Sequence, residues 1–133
     1  MAIITLPLEW DSQRWPNFTF DEMKCQETGE MGCDSDMLDM LQEMRNKRGR
    51  GIGIASGFRS ARHSIESAKR KPGSHTQGIA IDPRVSSGRD IYELVSLAIA
   101  VGFTGIGIGR REAICKMHLD CADWSQRPTI WTY

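Results

Sequence analysis

The stretch Ser74-His75-Thr76-Gln77-Gly78-Ile79-Ala80-Ile81-Asp82-Pro83 joins a loop to a strand and carries two metal-type side chains. Gly78 to Asp82 reads as a short strand, stopped by Pro83, which has no N–H to give to a ladder. Pro72-Gly73 breaks the chain just upstream, so His75 falls at the end of a loop and Asp82 beyond a strand. Bringing both onto one ion needs two different parts of the chain to fold together. Gly78 and Ala80 are small on the face expected to carry Asp82, which leaves room for an ion and a substrate.

Working outward, the next informative stretch is Met117-His118-Leu119-Asp120, with His118 lying 43 residues after His75. On a strand, residues i and i+2 share a face, so His118 and Asp120 point the same way. Two imidazoles and a carboxylate are the ligand set of a zinc site that keeps one position open for water. His75, Asp82 and His118 are the expected ligands, and Asp120 is placed to hold water or take its proton. Each piece alone has a bland alternative. A histidine in a glycine-rich loop is often merely solvated, and a strand aspartate is often an edge charge. The conjunction carries the reading, since the third histidine, His63, lies in a charged loop.

The frame around these stretches is α+β. Residues 1–20 are rich in Trp, Pro and Phe and read as an irregular aromatic arm, with a helical turn opening at Phe20-Asp21-Glu22-Met23. Met37, Leu38, Leu41 and Met44 recur at helical spacing, with Asp34 or Ser35 to cap the start and Gly49 the end. These methionines read as gap-filling core. Gly51 to Gly57 alternates small and branched residues and predicts a strand delivering Ser56, Phe58 and Arg59. Residues 60–74 form a loop, with room for one helical turn between Ala61 and Ala68. Ser87-Gly88-Arg89-Asp90 has the form of a capping box, opening a helix whose buried stripe is Ile91, Leu94, Val95 and Ala98 and which Gly102 ends. Thr104–Gly109 and Ile114–Cys121 predict a hairpin turning at Arg110 to Ala113, and Pro128 to Tyr133 packs across the domain. Lacking regular βαβ alternation, the order predicts one small domain, residues 1–133, with a mainly antiparallel sheet flanked by helices.

Composition bounds the function classes. Forty per cent hydrophobic and 26% charged residues suit a globular domain with a core. Seventeen basic residues balance seventeen acidic ones, so no global charge draws the chain to nucleic acid. Arg45 to Arg50 and Arg59 to Lys71 are locally basic, either as solvated surface or as a rim for an anionic polymer. No segment approaches the ~18 apolar residues of a membrane span. Met1 to Trp10 lacks the pattern of a secretory signal, so the expectation is synthesis in a cytoplasm, as a monomer without nucleic-acid or membrane partners. Cys25, Cys33, Cys115 and Cys121 read as reduced thiols, with a Cys25–Cys33 bridge or a minor second metal site as alternatives.

Five elements occur in one order: Ser56-Gly57-Phe58-Arg59-Ser60; Gly73-Ser74-His75-x-x-Gly-x-Ala-x-Asp82; Gly102-Phe103-Thr104-Gly105-Ile106-Gly107-Ile108-Gly109; His118-Leu119-Asp120; and Ile130-Trp131-Thr132-Tyr133. The series resembles the VanY-like zinc D-alanyl-D-alanine peptidases of the Hedgehog/DD-peptidase fold, most closely their short phage-borne members, from about Phe18 to Tyr133. The resemblance implies that His75, Asp82 and His118 bind Zn²⁺, that Arg59 meets a substrate carboxylate or carbonyl oxygen, and that Ser74 helps to position substrate. Many relatives place the catalytic acid/base three residues before the second histidine, where this chain has Cys115. Asp120, in H-x-D, is then the expected base, with Glu112 in reserve.

The implied activity is hydrolysis of peptide bonds in peptidoglycan stem peptides or cross-links. The implied setting is a phage lysin or virion-associated enzyme that reaches the cell wall after release. A non-catalytic zinc module of the same fold is the rival. A second rival has Gly105 to Gly109 cradling a phosphate, but these glycines alternate along a strand with no helix N-terminus after them.

Overall fold

The computed structural model describes residues 1–111 and 114–133. In chain order the elements are β1 (Ile3–Ile4), α1 (Phe20–Met23), β2 (Cys33–Asp34), α2 (Ser35–Arg48), β3 (Ile54–Ser56), β4 (Ala80–Pro83), α3 (Gly88–Val101), β5 (Gly105–Arg111), β6 (Ile114–Asp120) and β7 (Thr129–Thr132). β5 runs on through Arg111, so Arg110 and Arg111 belong to a strand and not to the expected turn at Arg110 to Ala113; Glu112, the reserve base, and Ala113 lie outside the described residues.

Both long helices end where side-chain chemistry places the ends. The Asp34 carboxylate accepts from the Asp36 amide at the start of α2, and Gly49 closes it in the left-handed region at φ 75°. The Ser87 hydroxyl accepts from the Asp90 amide, and Gly102 closes α3 at φ 107°. The expected capping box is only half made, because the Asp90 carboxylate turns back to Ser86 instead of to Ser87. α1 carries the complete box, Thr19 and Glu22 each satisfying the other's backbone. The arm before it is tied down: β1 pairs with β2, and Ala2 and Ser35 exchange hydrogen bonds.

The main sheet has the order β3-β4-β6-β5-β7. Four strands are antiparallel to their neighbours, but β7 runs parallel to β5, so the sheet is mixed. The predicted strand at Gly51 to Gly57 is trimmed to Ile54–Ser56, and Pro83 ends β4 as a paired residue opposite Ile54. Ile81, Ile106, Met117 and Leu119 are buried in one core with Leu38, Leu41, Leu94 and Ala98 of the helices. By strand alternation, Asp82, His118 and Asp120 belong to the other face.

That alternation explains the Gly-Ile run of β5. Its glycines are the cross-strand partners of the polar residues on β6: Gly105 faces Asp120, Gly107 faces His118, and Gly109 faces Lys116. A Cβ at Gly105 would lie 2.3 Å from Asp120 Oδ1, and one at Gly107 would lie 2.8 Å from the Trp131 indole nitrogen. The glycines clear a furrow into which neighbouring side chains settle, while Ile106 fills the core. Among the described residues no helix N-terminus follows them, and β6 comes next in the chain, so the phosphate-cradle reading has no basis here.

Candidate metal centre

His75 is held in the turn after Ser74, where the Ile79 amide donates to the Ser74 carbonyl and the Arg59 amide to the His75 carbonyl. Asp82 enters from β4 and His118 from β6. All three are buried. Gly78 does not provide room for an ion, as its sequence position suggested. It has φ 78°, and a Cβ there would lie 1.9 Å from the Gly32 carbonyl oxygen, so its bare backbone lets the β2 segment cross the turn.

The ligand atoms form a near-equilateral triangle. His75 Nε2 lies 3.0 Å from Asp82 Oδ1, His118 Nδ1 lies 3.1 Å from the same oxygen, and the two nitrogens are 3.2 Å apart. Tetrahedral zinc with bonds of about 2.0–2.1 Å would space its ligands by roughly 3.3 Å. The outer nitrogens fix which inner ones carry lone pairs. His75 Nδ1 donates to the Gly57 carbonyl at 2.7 Å, and His118 Nε2 lies 2.8 Å from Asp120 Oδ2. A carbonyl and a carboxylate both accept, so the inward nitrogens of two neutral rings face a carboxylate oxygen with no hydrogen among them. A divalent cation fits that vertex. The fourth side opens on a cleft of about 420 Å³ lined by Arg59, Ser74, Trp124 and Trp131 among others.

Electrostatics agree with the placement. With no ion present, burial would raise the Asp82 pKa, but the His118 and His75 imidazoles, when protons on their inward nitrogens take the cation's place, outweigh it by hydrogen bonding and charge and hold the carboxyl well below its usual range. Asp120 shows the same balance: burial raises, while His118, Arg127 and the Ala122 amide lower it further. For His118, burial favours the neutral ring, yet the two carboxylates push its pKa up.

The remaining expected residues are distributed as follows. Arg59 donates from Nη2 to Asp82 Oδ2 at 3.2 Å and from Nε to Ser56 Oγ at 3.0 Å, so it steadies the ligand oxygen that does not face the triangle. Ser74 Oγ is 3.4 Å from His118 Nε2. Asp120 shares the His118 face as expected and meets the outer nitrogen of that ring, while also lining the cleft. Its oxygens also accept from Arg127 Nε at 3.0 Å and Nη2 at 2.8 Å. Arg127 and Trp131 are the residues that sequence reasoning missed as site components. The Arg127 guanidinium lies 5.0 Å from the Trp124 ring centre and 4.8 Å from that of Trp131, which itself packs 5.4 Å from His118. All four cysteines are free, so no Cys25–Cys33 bridge forms; Cys115 lines an adjoining hollow with Arg84 and Val85. Among the described residues, the His75–Asp82–His118 group is the one cluster with metal-holding geometry.

A family model described as Peptidase M15 matches residues 16–120. No curated protein matches the chain. The family match ends at Asp120, so β7 and Arg127 lie beyond it.

Proposed function

This chain belongs to the M15 peptidase family, and on that premise we propose that it is a zinc-dependent peptidase that hydrolyses peptide bonds of bacterial peptidoglycan, in stem peptides or their cross-links. The observation that carries the reading is the convergence of His75 Nε2, His118 Nδ1 and Asp82 Oδ1 on one vertex beside an open cleft. A structural zinc site would be closed by a fourth protein ligand; three ligands and a cleft favour catalysis. When bound, the ion supplies a Lewis acid that polarises the scissile carbonyl and activates water.

The chain's own side chains supply the rest. Arg59 fixes the orientation of Asp82 and lines the cleft, where its guanidinium is available to a carbonyl oxygen or carboxylate of the substrate. One such donor aimed at developing oxyanion charge is typically worth ~3 kcal/mol. Ser74, at the cleft wall, offers a hydroxyl to the peptide backbone. Lys116 adds positive charge along the same wall, which suits the carboxylates of a stem peptide, whereas Lys69 there is paired with Glu66 at 2.6 Å. Trp131 and Tyr133 give the chain of the substrate an apolar surface to lie on.

The finer reading is a phage lysin or virion-borne murein peptidase acting at the cell wall, as a monomer. Its support is the likeness of the S-H-x-x-G-x-A-x-D and H-x-D elements to the short phage-borne peptidases. The test is mass spectrometry of purified murein fragments treated with the zinc-loaded protein, with and without a chelator. The expected result is new amine termini in stem peptides that vanish with chelation and return with added zinc. Unchanged fragments with a fully zinc-loaded protein would rule out the peptidase reading.

A further inference from the structure

We infer that Asp120 and Arg127 form a positioning pair that selects which nitrogen of His118 faces the metal, and that Asp120 is not the base of the reaction. The inference rests on reading the His75–Asp82–His118 cluster as a zinc site. Asp120 is fully buried, and its oxygens are occupied. Oδ1 accepts from Arg127 Nε at 3.0 Å and the Ala122 amide at 3.2 Å; Oδ2 accepts from Arg127 Nη2 at 2.8 Å and meets His118 Nε2 at 2.8 Å. Those contacts use about all four lone-pair directions of a carboxylate. A general base needs a free one within roughly 2.6–3.2 Å of the proton it takes.

What the pair does instead follows from the ring it touches. Asp120 meets Nε2, and the opposite nitrogen, Nδ1, points at Asp82 Oδ1 and His75 Nε2. A proton held at Nε2 leaves the lone pair at Nδ1, directed at the ion. The carboxylate also makes that nitrogen a better donor to metal than a neutral acceptor would. Arg127 keeps the carboxylate in register, because it grips both oxygens while stacked between Trp124 and Trp131. Gly105 is the space in which the pair sits.

The test compares wild type with Asp120→Asn and Arg127→Gln, each first checked for folding by circular dichroism. Zinc affinity is measured by competition with a chromophoric chelator, and turnover of murein at saturating zinc. Long-range ¹H–¹⁵N spectra of the zinc-loaded wild type report the His118 tautomer. Both variants are expected to bind zinc about 10- to 100-fold more weakly, with turnover largely recovered at saturating zinc. His118 is expected to carry its proton on Nε2. An Asp120→Asn protein with wild-type zinc affinity and no turnover would make Asp120 the base and overturn the inference. So would a His118 proton on Nδ1. Should Asp120→Asn not fold, Arg127→Gln and the wild-type spectra decide alone. A wild type that takes up no zinc would refute the underlying metal reading, a result distinct from either variant outcome.

Discussion

Replacing Gly105 with alanine puts the packing of the furrow to a direct test. The new Cβ would stand 2.3 Å from Asp120 Oδ1, 2.4 Å from Arg127 Nε and 2.6 Å from Asp120 Cγ. Ordinary contact begins near 3.4 Å, so the ion pair must retreat by about 1 Å, and overpacking of this kind costs ~1–3 kcal/mol. The pair has little freedom to retreat, since Asp120 is fully buried and Arg127 is stacked on two indoles. Loss of its bidentate geometry adds part of the ~3–5 kcal/mol that an unpaired buried charge costs. The sum is about 3 kcal/mol, or a fall in Tm of roughly 10 °C for a chain of this size. The control is Gly51→Ala, where the added methyl meets nothing within 4 Å, and which should be neutral or slightly stabilising. Urea unfolding of the metal-free proteins, followed by circular dichroism, gives the comparison. If Gly105→Ala unfolds within about 0.5 kcal/mol of wild type, the furrow is not what holds the pair, and the account of the glycine run is wrong.

Four further outcomes are expected. Leu94→Ala empties a fully buried position on α3 and should cost ~2–5 kcal/mol in urea unfolding; a loss below 1 kcal/mol would mean the helix is not seated as described. Ser87→Ala removes the α3 cap and should cost ~1 kcal/mol, with Ser87→Gly milder; equal stability of all three proteins would refute the cap. Burial pushes the Cys33 thiol up to about 12, so iodoacetamide at pH 8 should label half-exposed Cys115 first and Cys33 only on unfolding, as peptide mass spectrometry would show. Arg59→Lys should lower turnover by about 10²-fold while zinc content stays at one equivalent, and undiminished turnover would remove Arg59 from the substrate-binding role.

Much of the frame is legible along the chain because it is locally encoded. α2 and α3 are written in 3.6-residue spacing and closed by Asp34, Ser87, Gly49 and Gly102, each of which satisfies its own helix end. The three ligand positions are legible for the same reason, since loop and strand rules place His75 at the end of a loop and Asp82 and His118 on the sheet face opposite the core. What stays hidden depends on pairings distant in sequence. Nothing in Thr129–Thr132 says that it will lie parallel to β5, and nothing between Asp120 and Arg127 says that the chain turns back to pair them. Arg127, between Gln126 and Pro128, reads as a surface charge. Strand periodicity puts Asp120 on the correct face but does not tell which nitrogen of the neighbouring ring it will meet. The glycines of β5 are visible in sequence, yet their purpose depends on the partners opposite, which only the register reveals.

The three ligands come from a turn, an inner strand and the strand beside it, separated by up to 43 residues of chain. An ion seated among them therefore acts as a clasp on the tertiary structure, because the unfolded chain offers no such triad. At a thousandfold excess over its dissociation constant such a clasp adds about 4 kcal/mol to stability. With the proposed zinc in that seat, the melting temperature would serve as a gauge of the free metal, and the fold would loosen as its surroundings were stripped of it.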